Sequence, residues 1–259
     1  VPPDAGTDFS AGDGGRGRRG NGKLQMRHIL RREMTAYFST PFGFVFLGIF
    51  MLLSGVMFTI YNLLGANGSL NGTFDMLKNV SFLVFPMLTM KMFAEDRRLG
   101  TEQLLLTSRL AVWQIVLGKL IAAELMFLAA LFCTLVYVII IAIYGMPDYF
   151  SLAASYLGFF LLGASMIAVC AFFSSFAENQ ITAAVASFGA LFFMVMLASF
   201  TKSLDIPFLT PILSAAAITT RYDEFTRGIL RPGPVVYYIS VTCVSAFLTV
   251  KNCEKRRLD

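Results

Sequence analysis

Residues 117–144 read LGKLIAAELMFLAALFCTLVYVIIIAIY, and between Leu125 and Tyr144 no charged residue interrupts the run. A helix that is apolar on every face has no side to turn toward water, so it must lie in a large core or in lipid. The run exceeds the roughly 20 residues that cross the hydrocarbon of a bilayer. Its reading as a membrane span therefore sets the frame for the rest of the chain.

The composition agrees. Of 259 residues, 56% are hydrophobic and 14% are charged, against about 25% charged in an average soluble domain. The mean hydropathy is +0.69. These values exclude an ordinary water-soluble enzyme and predict an all-α polytopic membrane protein. A single histidine, His28, leaves little scope for histidine catalysis or a metal site. Cys133, Cys170 and Cys243 sit in apolar runs and Cys253 in a basic tail, so their spacing suggests neither zinc nor a disulfide framework. No credible catalytic set is present, and we expect a protein that is not itself an enzyme.

Working outward, six spans are expected at about 42–64, 76–94, 117–144, 151–176, 181–201 and 234–251. Together they make a six-helix transmembrane domain over 41–252. The apolar stretch Ile206–Thr220 is too short to cross and contains Pro207 and Pro211, so it reads as a re-entrant or interfacial pair of short helices. Residues 1–25 carry Gly, Asp and Arg with few large apolar groups and are expected to be a disordered basic tail, without the continuous apolar run of a signal peptide. Over 26–40, Leu30, Met34, Tyr37 and Phe38 share one helical face, while Arg27, Arg31 and Arg32 occupy others. This predicts an amphipathic helix lying on the bilayer surface, with Arg31, Arg32, Glu33, Tyr37 and Phe38 as its contact residues. Residues 253–259 form a second basic tail.

Lys and Arg in short loops orient the protein. With the N-terminus inside, one side collects the basic N-terminal segment, Arg97, Arg98, Arg109, Lys119 and the C-terminal basic residues. Both termini of this multi-pass protein are thus expected to be cytoplasmic. Asn67-Gly68-Ser69 and Asn71-Gly72-Thr73 match the glycosylation sequon but read as glycine-rich turns. Gly17 to Lys23 resembles the first part of a phosphate-binding loop. Leu24 stands where the magnesium-binding hydroxyl belongs and no strand precedes it, so this chain is not expected to bind ATP. The Arg-Gly run at 16–20 reads as a solvated basic tail, not as a nucleic-acid site.

The loop between the second and third spans runs Phe93-Ala94-Glu95-Asp96-Arg97-Arg98-Leu99-Gly100-Thr101-Glu102-Gln103-Leu104-Leu105-Leu106-Thr107-Ser108. Gly100 is placed to end one helix and Thr101 to cap the next, with Glu102 at its positive end. Leu104, Leu105 and Leu106 then stand together in a loop that should face water. They read either as a surface covered by a partner or as a helical hairpin resting on headgroups.

With Trp113-Gln114-Ile115-Val116-Leu117-Gly118-Lys119 after it, this segment resembles the membrane subunits of type-2 ATP-binding-cassette exporters, most closely the gliding-motility-type permeases. Two other stretches share the resemblance: Arg32 to Pro41, and Phe225-Thr226-Arg227-Gly228-Ile229 followed by Tyr237-Tyr238. Arg109 departs from the pattern, standing where such permeases often have proline. The resemblance implies that two permease subunits, alike or different, form a dimeric membrane domain. Two separate cytoplasmic ATPases, which bind ATP and Mg, would attach beneath. It also implies that Glu95, Asp96, Arg97, Arg98, Gly100, Thr101, Glu102, Leu104, Leu105 and Leu106 form the coupling element.

Ionisable groups inside spans are costly and so informative. Glu124 is expected either to pair with Lys91 or to line a translocation path. Arg221, Asp223, Glu224 and Arg227 form an outer cluster that reads as a gate, with Arg221 and Arg227 as its cations, or as a solvated network. Ala154 with Gly158, and Ala164 with Ala168, are four apart and allow close helix contact. The functional reading is an exporter permease for a lipid-linked, amphipathic or hydrophobic substrate. The alternative is an ATPase-driven membrane anchor that transmits force to an attached protein without moving cargo. The topology has a direct test. Gly100→Cys, in a version without the native cysteines, should stay unreactive toward an impermeant maleimide in intact cells, and labelling from outside would overturn the orientation.

Overall fold

The computed structural model describes residues 29–98, 111–144, 148–203, 217–228 and 231–258. The expected tail 1–25, the residues Gly100 to Leu106 and most of the short segment 206–220 lie outside the described residues. Every regular element among the described residues is helical.

Helix α1 covers 29–39 and lies within the expected amphipathic segment. It turns at Thr40 straight into α2, Pro41–Phe58. Pro41 suits the first helical position, because its missing N–H would have no intrahelical partner there. Thr40 Oγ1 donates to the Ala36 carbonyl at 2.8 Å, closing α1. Gly43 is needed at this corner: a Cβ there would lie 2.2 Å from the Tyr37 carbonyl oxygen. The last turns of the first span, Thr59–Leu64, widen into a π-helix. This turns Asn62 inward, where its amide donates to the Asn67 and Ser69 carbonyls at 2.7 and 2.9 Å and its carbonyl accepts from Thr73 Oγ1 at 2.6 Å.

Helix α3 is Asn71–Arg98, unbroken by Pro86. The third expected span divides into α4, Val112–Cys133, and α5, Leu135–Tyr144. At the junction Thr134 Oγ1 donates to the Leu131 carbonyl, and Tyr156 donates to the Thr134 carbonyl. Helix α6, Tyr149–Phe176, is capped by the Asp148 carboxylate, which accepts from the Phe150 and Ser151 amides. Asn179 caps α7, Gln180–Ser203, through the Thr182 amide at 2.8 Å. The short helix α8, Tyr222–Thr226, precedes α9, Pro232–Leu258. Helix α9 carries the chain through 253–258, the stretch expected as a tail, and buries Cys253.

Five helical stretches among the described residues are long and apolar enough to cross a membrane: Pro41–Leu64, Val112–Ile143, Tyr149–Phe176, Gln180–Ser199 and Pro232–Arg256. The remaining expected span lies within α3, whose 28 residues match the others in length but whose mean hydropathy is lowered by Lys78, Lys91 and the charges at 95–98. Contacts place the helices in alternation between two ends of the bundle. Glu33, Asp96, Lys119, Ser175 and Asn252 meet at one end, while Asn71, Ser155, Lys78, Asp223, Ile218 and Tyr238 meet at the other.

Helix α6 is the centre. In its most apolar window 72% of residues are buried, against 22–33% in the other four spans. It packs against α3, α4, α7, α8 and α9. Small residues make this possible. Ala154, Gly158, Ala164 and Ala168 are all buried. A Cβ on Gly158 would lie 2.5 Å from the Phe225 ring, and one on Gly163 would lie 2.2 Å from the Phe127 ring. Phe127 is fully buried, with its ring centroid 5.0 Å from Phe85, 5.8 Å from Phe159 and 6.0 Å from Phe50. Rings at these separations and tilts add to the energy of burial.

Both sequon asparagines are structural links. Asn67 donates to the Tyr61 carbonyl at 3.1 Å. Asn71 donates to Ser151 Oγ and accepts from Ser155 Oγ, which ties α3 to α6.

A pair of alanine substitutions checks the packing account. Gly163→Ala forces a ring with no free space and should destabilise the protein by about 1–3 kcal/mol. Gly189→Ala, with nothing within 4 Å of the new methyl, should be neutral or stabilise by up to ~1 kcal/mol through helix propensity. Thermal unfolding in one detergent gives the sign of each.

Candidate functional site

The end of the bundle that carries α1 gathers most of the residues singled out in the sequence. Glu95, Asp96, Arg97 and Arg98 form the last turn of α3, so the second span runs on as helix into the predicted coupling element. Two of these residues turn inward. Asp96 Oδ2 lies 2.7 Å from Lys119 Nζ on α4, and the same ammonium lies 3.3 Å from Glu33 Oε1 on α1. Lys119 is only 4% exposed. One buried cation thus ties α1, α3 and α4 together and is compensated by two carboxylates, as a charge removed from water requires. Arg32, on the exposed side of α1, pairs with Glu33 at 2.8 Å.

Arg97 points the other way. Its two terminal nitrogens donate to the carbonyl oxygens of Ser175 and Ala177 at the C-terminal end of α6. That end leaves carbonyls without intrahelical partners and carries the negative pole of the helix. Asn252 on α9 donates to the Ser175 carbonyl at 3.0 Å and to Ser175 Oγ at 2.9 Å, and Arg256 donates to the Phe176 carbonyl at 3.2 Å. Asp96 and Arg97, which the resemblance assigns to the coupling element, are engaged within the bundle, because the last turn of α3 lies between Lys119 and the end of α6.

Tyr37 of α1 is half-buried, and its hydroxyl points to the Leu88 carbonyl at 3.4 Å. Burial, with the nearby Glu33 and Glu95 charges, pushes its phenol well above the usual tyrosine range, so it stays a neutral donor. Phe38 is exposed and meets the Phe44 ring edge-on, as an interfacial residue would. Arg31 is also exposed. A cavity of about 220 Å³ opens between α1 and the ends of α3 and α4, lined by Arg32, Glu33, Tyr37, Lys91, Glu95 and Lys119 among others.

The expected pairing of Glu124 with Lys91 does not form. The Lys91 ammonium sits 4.4 Å from the centre of the Phe42 ring. Glu124 lies five residues beyond Lys119 on α4, about 7.5 Å further along the axis, and is half-exposed on the outward side with Leu117, Ile121 and Leu128. Among the described residues it has no ion-pair partner, so its role as a path residue stays a proposal.

At the opposite end the structure adds two residues to the predicted gate cluster. Lys78, 7% exposed, bridges Asp75 at 2.6 Å and Asp223 on α8. Arg221 lies 4.4 Å over the Tyr237 ring, Arg227 is exposed, and Glu224 Oε2 is buried with no hydrogen-bond partner among the described residues. Burial, first of all, keeps the Tyr222 phenol well above its ordinary range, and it donates to the Ser155 carbonyl at 3.3 Å. A cavity of about 320 Å³ is lined by Asp75, Lys78, Asn79, Ser199, Asp223 and Arg227 among others. No local pattern in the sequence marks the Lys78 pair, since its partner Asp223 lies 145 positions away.

Among the described residues no group of three His, Cys, Asp or Glu side chains is placed to hold a metal. The charged groups described at both ends bind helices together.

The Lys119 junction can be tested by orphaning its carboxylates. Lys119→Met should cost roughly 3–5 kcal/mol and expose α1 to trypsin at Arg31 and Arg32. Adding Glu33→Gln and Asp96→Asn should recover most of the melting temperature, which a purely steric role for Lys119 would not allow.

A family model described as ABC-2 family transporter protein matches residues 64–222, which covers α3 to α7 and the 99–110 segment and ends at the first residue of α8. A search of curated proteins gives no match.

Proposed function

Because the chain belongs to the ABC-2 family of transporter proteins, we propose that it is the permease subunit of an ATP-driven exporter in a bacterial inner membrane, working as a dimer with separate cytoplasmic ATPases. The family match across 64–222 carries the reading. The geometry supports it. The helices on either side of the 99–110 segment are fixed to each other and to α1 by Lys119, and to α6 by Arg97. A force applied at that segment therefore meets a stiff junction. Both α1 and the C-terminal end of α9 lie at this end of the bundle, and the excess of Lys and Arg in its loops supports a cytoplasmic side for it.

The cargo we propose is lipid-linked, amphipathic or hydrophobic. The long outward faces carry few charges beyond Glu124, and exposed Leu52, Phe132, Phe193 and Phe247 present apolar surface to lipid or to a second subunit. ATP and Mg belong to the partner ATPase. In this reading Leu104, Leu105 and Leu106 dock on that partner, each contributing roughly 1.5–3 kcal/mol if fully buried.

Leu105→Asp would place an unpaired charge in that contact. The permease should still insert and fold, while the ATPase is lost on affinity purification or hydrolyses ATP without coupling. Unchanged copurification together with unchanged activity would move the docking site elsewhere, with α1 the next candidate.

A further inference from the structure

Three successive carbonyls at the C-terminal end of α6 are taken by side chains from other helices: Ser175 and Ala177 by Arg97, Ser175 also by Asn252, and Phe176 by Arg256. Helix α6 ends in Phe176-Ala177-Glu178, without the glycine that commonly closes a helix in the left-handed conformation. Its last carbonyls depend on outside donors. The guanidinium is a planar fork that can hold two acceptors in fixed geometry, and a cation at a helix C-terminus is favoured by the dipole. Arg97 is also the next-to-last residue of α3, immediately before the 99–110 segment.

The far end of α6 is just as firmly engaged. Gly158 receives the Phe225 ring of α8, Tyr222 of α8 donates to the Ser155 carbonyl, and Ser151 Oγ donates to the Thr226 carbonyl. Helix α8 also supplies Asp223 to the Lys78 cluster and to the wall of the polar cavity. Between the two ends lie 28 helical residues, about 42 Å at 1.5 Å per residue. They are buried on most sides and carry no proline or charged residue.

We propose that Arg97 is a positioning residue for transport. It latches the last turn of α3 to α6, so that movement of the 99–110 segment draws on α6 as a rod and repositions α8 at the opposite mouth. The neighbouring residue divides the load: Asp96 passes it to α4 and α1 through Lys119, and Arg97 passes it to α6. This inference rests on the proposed coupling role of the 95–106 segment and adds the route by which the stroke leaves it.

The test uses the permease copurified with its ATPase in lipid nanodiscs, and compares amide hydrogen exchange without nucleotide and after trapping with ATP and vanadate. In the wild-type complex, trapping should change exchange both over 99–110 and over 217–228. In Arg97→Gln the ATPase should still copurify and the change over 99–110 should persist. The change over 217–228 should fall at least about fivefold, the low end of coupling between distant sites. Arg97→Lys keeps the cation at the helix end but loses the fork. It should melt near wild type and still show a reduced response at 217–228, which separates transmission from stability should the Gln variant fold poorly. A full response at 217–228 in a folded Arg97→Lys or Arg97→Gln complex would overturn the latch. No response at 99–110 in the wild type would instead overturn the coupling role on which it rests.

Discussion

Close approach to α6 is the constraint on which the other helices depend. In lipid, apolar side chains gain little by leaving one hydrocarbon environment for another, so helices associate through packing and hydrogen bonds. Gly158 and Gly163 supply the hollows, and Phe225 and Phe127 fill them. Phe127 in turn sets the rings of Phe50, Phe85 and Phe159, which brings α2 and α3 to the same centre. Serines at these contacts add hydrogen bonds without bulk: Ser155 of α6 donates to Asn71, and Ser187 of α7 donates to the Cys170 carbonyl of α6.

Among the described residues the paired charges gather at the two ends of this apolar bundle and do a different job at each. At the α1 end, Lys119 and Arg97 join the elements next to the 99–110 segment. At the α8 end, Lys78 joins α3 to a short helix and borders a polar cavity. Each cation is compensated, Lys119 and Lys78 by two carboxylates apiece and Arg97 by carbonyls at a helix terminus. Burial of the ammonium groups is tolerable for that reason. The arrangement gives a tightly packed middle with a polar junction at either end.

Much of this was legible in the sequence, because lipid imposes long apolar helices and the run 117–144 shows one plainly. The small residues of the fourth span signalled close helix contact, though not that this helix is the central one. The amphipathic spacing of Leu30, Met34 and Tyr37 located α1. What escaped were relations between distant positions. Glu33, Asp96 and Lys119 look like three unrelated loop charges until the helix ends meet, and Arg97 looks like one more surface cation beside Arg98. Lys91 was expected to pair with Glu124, but its ammonium lies over the Phe42 ring, 4.4 Å from the centre. The break at Thr134 was also hidden, since an apolar run gives no sign of a local hydrogen bond that interrupts the helix.

The central claim is that this chain is a membrane permease driven by a separate ATPase. Native mass spectrometry of the affinity-purified assembly, released from nanodiscs with its ATP hydrolysis measured on the same sample, tests it most directly. The account predicts two permease chains with two ATPase chains, and hydrolysis that disappears when the ATPase chains are stripped away. A permease that purifies without any nucleotide-hydrolysing subunit, or that hydrolyses ATP by itself, would contradict it.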